Sequence, residues 1–298
     1  MQEKSIYFRL PKTGKEGFLV QHDQLPHFYD RLHYHPELQL VYIIQGTGDL
    51  FISDTIVPFE AGNLFLIGSN QSHLFKSDSK YFQGNEDLVS ESVSVFFHES
   101  SLGDGFFNIS EMASIRNMIE RSGRGIRFSV EVSKQFREQM CQLPTQSGFT
   151  RFLNILSLLN ELSASQNYRY LATVSSPDPM SDIENKKVND VINYIFKHYK
   201  EDIKLKEVAQ LANYSQTAFC LFFKQRTRKT FVQFLNEVRV SQACKLLRNS
   251  DFNISQICFE SGFNNVSNFN RQFKKVVGFS PSAYKSKFEK SIQISEIH

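Results

Sequence analysis

Between residues 215 and 281 the chain states one phrase twice. Ser215-Gln-Thr-Ala-Phe219-Cys-Leu-Phe-Phe223-Lys224 returns as Asn265-Val-Ser-Asn-Phe269-Asn-Arg-Gln-Phe273-Lys274, with a polar cap, a buried Phe and a Phe-Lys close at matching places. A shorter helical pattern precedes each copy. In the first, Leu205, Val208, Ala209 and Ala212 keep the spacing of a helix that buries one face, and Asn213 suits the left-handed conformation that closes it. In the second, Asn253 can cap the start, Ile254, Ile257 and Cys258 form the buried stripe, and Gly262 ends the helix. Small residues at Ala209 and Cys258 leave room where two helices cross at a tight turn. Short helix, turn, second helix is the helix-turn-helix arrangement, present here twice, and it points to DNA.

Between the units, Phe231, Phe234, Leu235, Val238, Gln242, Ala243, Leu246 and Leu247 describe one long amphipathic helix. Roughly seventeen residues span about 26 Å, a spacer that sets two recognition helices near one DNA turn apart, about 34 Å. The charge is split to match. Residues 186–298 hold 19 Lys+Arg against 9 Asp+Glu, a balance of +10, while residues 1–185 carry −7. That places a polyanion-binding surface on the C-terminal third and predicts salt-dependent DNA affinity.

Recognition helices present their N-terminal outward positions to base edges. Here these are Gln216, Thr217, Cys220 and Leu221 in the first unit, and Val266, Ser267, Asn270 and Arg271 in the second. Arg271 suits a guanine and Asn270 an adenine, which makes the second unit the stronger hydrogen-bonding reader. Lys224, Lys229, Lys274 and Lys275 suit phosphates. The blander roles are a salt bridge from Arg271 to Glu260 and plain solvation of the lysines.

The stretch Ile254-Ser-Gln-Ile-Cys-Phe-Glu-Ser-Gly262-Phe263, then Phe269, Phe273-Lys274-Lys275, Gly278-Phe279-Ser280-Pro281 and Tyr284, resembles the signature of the AraC/XylS transcription regulators. Ala209, Ser215, Phe223-Lys224, Arg239, Ala243 and Leu246-Leu247 extend the resemblance over roughly residues 188–287. One departure is Arg228, where that family usually has Gly after the first recognition helix; a positive backbone angle is costly for Arg, so a remodelled turn is expected there.

The first 100 residues read as short strands: Leu38–Ile44, Gly48–Ile52, Asn63–Ile67 and Val89–Phe97, separated by turn residues. They suggest a sandwich or jelly-roll barrel. His33-Tyr-His35-Pro-Glu37-Leu-Gln39, with Gly46, Gly62 and His73, resembles the two motifs of a cupin, a family in which two histidines, a carboxylate and a later histidine bind a metal. Positions 33, 35 and 39 are expected on one strand face. Gln39 stands where the ligating Glu would be, and Glu37 is two residues out of register, so the reading is a metal-free effector pocket lined by His33, His35, Gln39, Tyr42 and His73. A metal site and merely structural histidines are the alternatives, and Tyr42 serves equally well as core.

Helical patterns follow over about 109–165: Ile109, Met112, Ile115 and Ile119, then Val132, Phe136, Met140 and Leu143, then Phe152, Leu153, Ile155, Leu156, Leu159 and Leu162. The last is apolar over more than one face, so it packs on the barrel and on something else, either a second subunit's helix or the preceding helix. Residues 172–182 are rich in Ser, Pro and Asp and read as a linker.

The chain is therefore expected to be an α+β two-domain protein. A cupin-like β-barrel, about residues 1–100, with flanking helices forms an effector-binding and dimerisation domain over 1–170. A linker covers 171–187, and an all-α domain with two helix-turn-helix motifs covers 188–290. The resemblance implies a regulator, leaning to an activator, with double-stranded DNA, a small-molecule effector such as a sugar, a second copy of itself and RNA polymerase as partners. Two rivals are a metal-dependent dioxygenase or isomerase using His33, His35 and His73, and a DNA-binding protein whose barrel only dimerises. No cofactor or catalytic residue is expected. Cys141, Cys220, Cys244 and Cys258 lack metal or disulfide spacing and are expected to be buried thiols. The charged N-terminus and the lack of any long apolar run predict a cytoplasmic protein.

Overall fold

The computed structural model describes residues 17–83, 87–172 and 182–286. The chain divides into two compact units, Met1–Asn185 and Lys186–His298.

The first unit holds β1 (Leu19–Leu25), β2 (Leu38–Gln45), β3 (Gly48–Ile52), β4 (Thr55–Phe59), β5 (Leu64–Ile67), β6 (His73–Ser77), β7 (Ser90–Phe97), β8 (Ile126–Phe128) and β9 (Tyr168–Tyr170). Its helices are α1 (Ala113–Ser122), α2 (Val130–Gln135), α3 (Arg137–Gln142) and α4 (Gly148–Ala164). A six-stranded antiparallel sheet in the order β1-β7-β2-β5-β8-β9 faces a three-stranded sheet in the order β4-β3-β6. Val41, Ile43, Leu50, Ile52, Phe59, Phe65, Ile67 and Phe75 fill the space between them. The other face of the large sheet, through Leu38, Leu40, Tyr42, Leu64, Leu66, Val93, Val95 and Phe97, is covered by Ile115, Ile119, Met140, Ile155, Leu159 and Leu162 of the helices. β2 is thus buried on both faces, which explains why it reads as a continuous apolar run. The stripe Val132, Phe136, Met140 and Leu143 is buried as expected, but the helix breaks at Phe136 into α2 and α3.

The second unit is helical: α5 (Asp182–His198), α6 (Leu205–Leu211), α7 (Gln216–Thr227), α8 (Phe231–Asn249), α9 (Ile254–Glu260) and α10 (Val266–Val277). α5 begins inside the stretch expected as linker, and residues 173–181 of that stretch lie outside the described residues. α8 opens on a capping box, Thr230 with Gln233, and its nineteen residues run about 28 Å. One end of its buried stripe, Phe231 and Phe234, packs on Phe223. The other end, Val240, Ala243, Cys244 and Leu247, joins Ile257, Cys258, Phe263, Phe269 and Phe273.

No helix among the described residues is long and apolar enough to cross a membrane. Cys244 and Cys258 are buried thiols as expected, but Cys220 is exposed and Cys141 half-buried. Cys220 lies on the outer face of α7, where its neighbours Phe219 and Phe223 take the inward positions.

Candidate functional site

Each reading head is assembled by local rules. Asn213 at φ +57 and Gly262 at φ +88 reverse the chain after α6 and α9. Tyr214 N–H then donates to Ala209 O at 2.9 Å, and Phe263 N–H to Cys258 O at 3.1 Å, the bond that closes a helix whose last residue is left-handed. A side chain is excluded at Gly262 for a second reason: a Cβ there would sit 2.4 Å from Tyr199 O. The following helices start on side-chain caps, Ser215 Oγ accepting from Ala218 N and Asn265 Oδ1 from Asn268 N. One residue separates Asn213 from its cap Ser215 and two separate Gly262 from its cap Asn265, so the second turn is one residue longer.

Phe219, Phe222, Phe223, Phe269 and Phe273 are buried. Gln216, Thr217, Cys220, Leu221, Ser267, Asn270 and Arg271 are exposed, and Val266 is half-buried against the core of its unit. Leu221, at 69% exposure, is an apolar residue with nothing of its own chain to cover it among the described residues. Arg271 is not paired to Glu260, which binds Lys200 at 2.8 Å; its guanidinium instead donates to Asn268 Oδ1 at 2.9 Å. Lys224, Lys274 and Lys275 are exposed. Lys229 departs from the phosphate expectation, because it is part-buried and paired to Glu237 on α8. At Arg228 the expected remodelling does not occur: Arg228 takes φ +59, the counterpart of Gly278 at φ +87 after α10. Buried Thr227 secures that turn, its hydroxyl donating to Phe223 O at 2.8 Å and accepting from Lys229 N at 3.3 Å.

In the first unit a cavity of about 190 Å³ lies between the sheets, lined by Gln21, Asp23, Phe28, Tyr29, His33, Gln39, Val41, Ile43, His73, Phe75, Ser92, Ser94 and Phe96 among others. Of the expected lining, His35 and Tyr42 are not part of it: the His35 ring packs edge-on against His73 and Phe96 instead. Residues 39 and 42 differ by an odd number, so alternation turns Tyr42 to the opposite face, where it joins the core under the helices. The polar wall formed by Gln21, Asp23, Ser92 and Ser94 was not among the expected lining. Its signal was the serine at every second position of Ser90-Glu-Ser-Val-Ser-Val, one face of β7.

His33 and His35 precede β2 rather than sitting on it, since Pro36 supplies no N–H to a ladder. They reach the site by other means. His33 forms a two-bond bridge with His73, N–H to O at 3.0 and 2.9 Å, and Asn70 N–H donates to His35 O at 2.8 Å. The ring centroids stand 4.2 Å apart for His33 and His73 and 5.1 Å for His35 and His73. Each Nδ1–H donates to a carbonyl, Arg31 O at 2.8 Å, Glu37 O at 2.9 Å and Gln71 O at 2.7 Å respectively. Burial holds all three imidazoles below their ordinary pKa, His33 at about 3 with repulsion from His35 adding to it, and His73 lowered further by both neighbours. The rings are neutral at pH 7. Gln39 Nε2 donates to Ser94 Oγ at 3.1 Å.

Two helix-turn-helix reading heads in one unit, and in the other a sandwich with a cavity between its sheets, define a DNA-binding transcription regulator with a ligand-binding domain. A helix-turn-helix domain model matches residues 208–287 and an AraC-like ligand binding domain model matches residues 17–85. Relatives include the uncharacterized HTH-type transcriptional regulator YdeC of Bacillus subtilis, 23% identical with 86% of each chain covered. The Msm operon regulatory protein of Streptococcus mutans is 25% identical over 85% of this chain and 84% of its own. The HTH-type transcriptional activator RhaR of Mannheimia succiniciproducens is 24% identical over 87% of this chain and 88% of its own. The chain belongs to the AraC family of transcription regulators. These domains and relatives are regulatory, which sets aside the dioxygenase or isomerase reading.

Proposed function

We propose that this regulator activates transcription when a small polar effector fills the inter-sheet cavity, and that it acts as a homodimer. The observation that carries the reading is the cavity itself, set between the sheets of the unit that lacks the reading heads. Its volume of about 190 Å³ equals roughly six waters at ~30 Å³ each and falls below the ~300 Å³ at which drug-sized sites begin. Gln21, Asp23, Gln39, Ser92 and Ser94 offer hydrogen bonds opposite Phe28, Val41, Ile43 and Phe75, a combination that fits a molecule of monosaccharide size. The Mannheimia relative is named a transcriptional activator, and RNA polymerase is then the further partner.

DNA is read by Gln216, Thr217, Cys220 and Leu221 on α7 and by Ser267, Asn270 and Arg271 on α10, with Val266 lending apolar contact. Lys224, Lys274 and Lys275 bind phosphates. The dimer forms through α4, whose Phe149 and Leu153 are 72% and 46% exposed although the helix is otherwise a core element. The effector domain covers 1–170 and the DNA-binding domain 188–290, in a protein of the cytoplasm.

Thermal unfolding of the full chain against a panel of monosaccharides and small organic acids tests the effector. A ligand at a hundred times its Kd adds about 2.7 kcal/mol of stability. A reporter carrying a duplex selected from a random library then rises on its addition. A fall in output overturns activation, and a panel without any stabilising ligand favours a barrel that only dimerises.

A further inference from the structure

The cavity between the sheets is lopsided in charge and in hydrogen bonding. One carboxylate, Asp23, stands among the described residues that line it, and no Lys or Arg does. Asp23 and Gln21 share one face of β1, where they stand opposite Ser92 and Ser94 of β7. Ile43 and Val41 of β2 continue the same two rows, so the wall is polar at β1 and apolar at β2. Gln21 Nε2 donates to both oxygens of Asp23, at 2.7 and 2.9 Å, which fixes the amide, because turned over it would set oxygen against carboxylate. Gln21 Oε1 is thereby held as an acceptor, buried and meeting no donor. On the facing sheet His73, 1% exposed, gives its Nδ1–H to Gln71 O at 2.7 Å. Its Nε2 is a second buried acceptor that meets no donor, and turning the ring would forfeit the Gln71 bond. Buried acceptors without donors are rare in folded proteins because each has given up water for nothing. A carboxylate and two unmet acceptors around one cavity are the complement of a donor.

We propose that the effector is a small cation of the amino-alcohol or amino-sugar class, its ammonium group on Asp23 and Gln21 Oε1 and a hydroxyl donating to His73 Nε2. This class presupposes that the cavity holds the effector at all. An ammonium group brings three donors and no acceptor, the inverse of this wall. Its charge meets the carboxylate, and its carbons lie along Val41, Ile43 and the rings of Phe28 and Phe75, whose centroids are 6.0 Å apart. Aromatic faces attract cations in their own right. An organic acid meets the opposite conditions, like charge at Asp23 and no cationic side chain in the described lining to offset it. The balance of −7 over residues 1–185 acts in the same direction from farther off. A volume of about 190 Å³ admits one such ring or short chain.

Thermal unfolding of the full chain separates charge from shape when probes are taken in pairs: glucosamine against glucose, ethanolamine against ethylene glycol. Choline serves as a cation whose nitrogen carries no N–H, and acetate as an anion. At least one primary amine is expected to stabilise the protein at a concentration on the order of tenfold or more below its neutral partner, the worth of a charge-assisted hydrogen bond. Choline and acetate fall behind it. Asp23→Asn, nearly isosteric, removes that preference by weakening the amine and sparing the neutral partner. Neutral or acidic probes that stabilise as well as the amines overturn the cationic class and leave the effector reading intact, and so does an amine preference that Asp23→Asn leaves unchanged. If Asp23→Asn fails to fold, the paired comparison on the wild type decides. A panel in which no probe stabilises removes the effector reading and the cationic class together.

Discussion

Arg228 holds φ +59 where the equivalent position of the second head is Gly278. A left-handed non-glycine residue stores on the order of 1–3 kcal/mol, offset here by the two bonds of the Thr227 hydroxyl. Arg228→Gly is expected to stabilise the second unit by about 1 kcal/mol, measured by urea unfolding; a destabilised variant would show that the guanidinium holds the turn. Arg239 stands at the opposite extreme. Its guanidinium donates to Tyr199 O and Glu201 O, both at 2.8 Å, and lies over the Phe263 ring. Bonds from a charged donor are worth about 1.5–3 kcal/mol each, so Arg239→Ala should lower stability by at least 2 kcal/mol in the same assay. Arg271 tests the reading of bases: Arg271→Ala is expected to lose about 1–3 kcal/mol on the selected duplex and little on random DNA. Equal losses on both would remove its base-reading role.

At the scale of elements, the reading heads were legible because helical caps, left-handed turn residues and a four-residue apolar spacing all act locally. Ser215, Asn253, Gly262 and Asn213 each do in the structure what their chemistry suggested. The sandwich was less legible. β1, with its burial alternating weakly along Leu19–Leu25, pairs among the described residues with β7 alone, and its pattern follows from that partner rather than from its own residues. The histidines converge through a loop bridged to β6, a long-range pairing that no local spacing encodes, whereas the core role, one of the two open to Tyr42, follows from strand alternation counted from Gln39. α4 carries its own prediction. Leu153→Asp places a charge on its exposed apolar face, and sedimentation should then show monomers in place of dimers with the melting temperature little changed.

For the whole molecule, the charge division separates two tasks between two units. Residues 186–298 alone should bind DNA with an affinity that falls steeply with salt. Each phosphate contact contributes about 0.9 to the logarithmic slope, so replacing both Lys274 and Lys275 by Ala should reduce it by nearly 2, and an unchanged slope would move the phosphate contacts elsewhere. α8 adds a constraint of another kind. Because one end of it is gripped by the first head's phenylalanines and the other by the core of the second, the gap between the heads is fixed like that of a caliper with its screw tightened. One base pair inserted between the two recognised half-elements shifts the far one by about 3.4 Å and turns it by roughly a tenth of a revolution. The protein can then grip only one half-element at a time, so promoters it controls must keep that interval constant even where their letters drift.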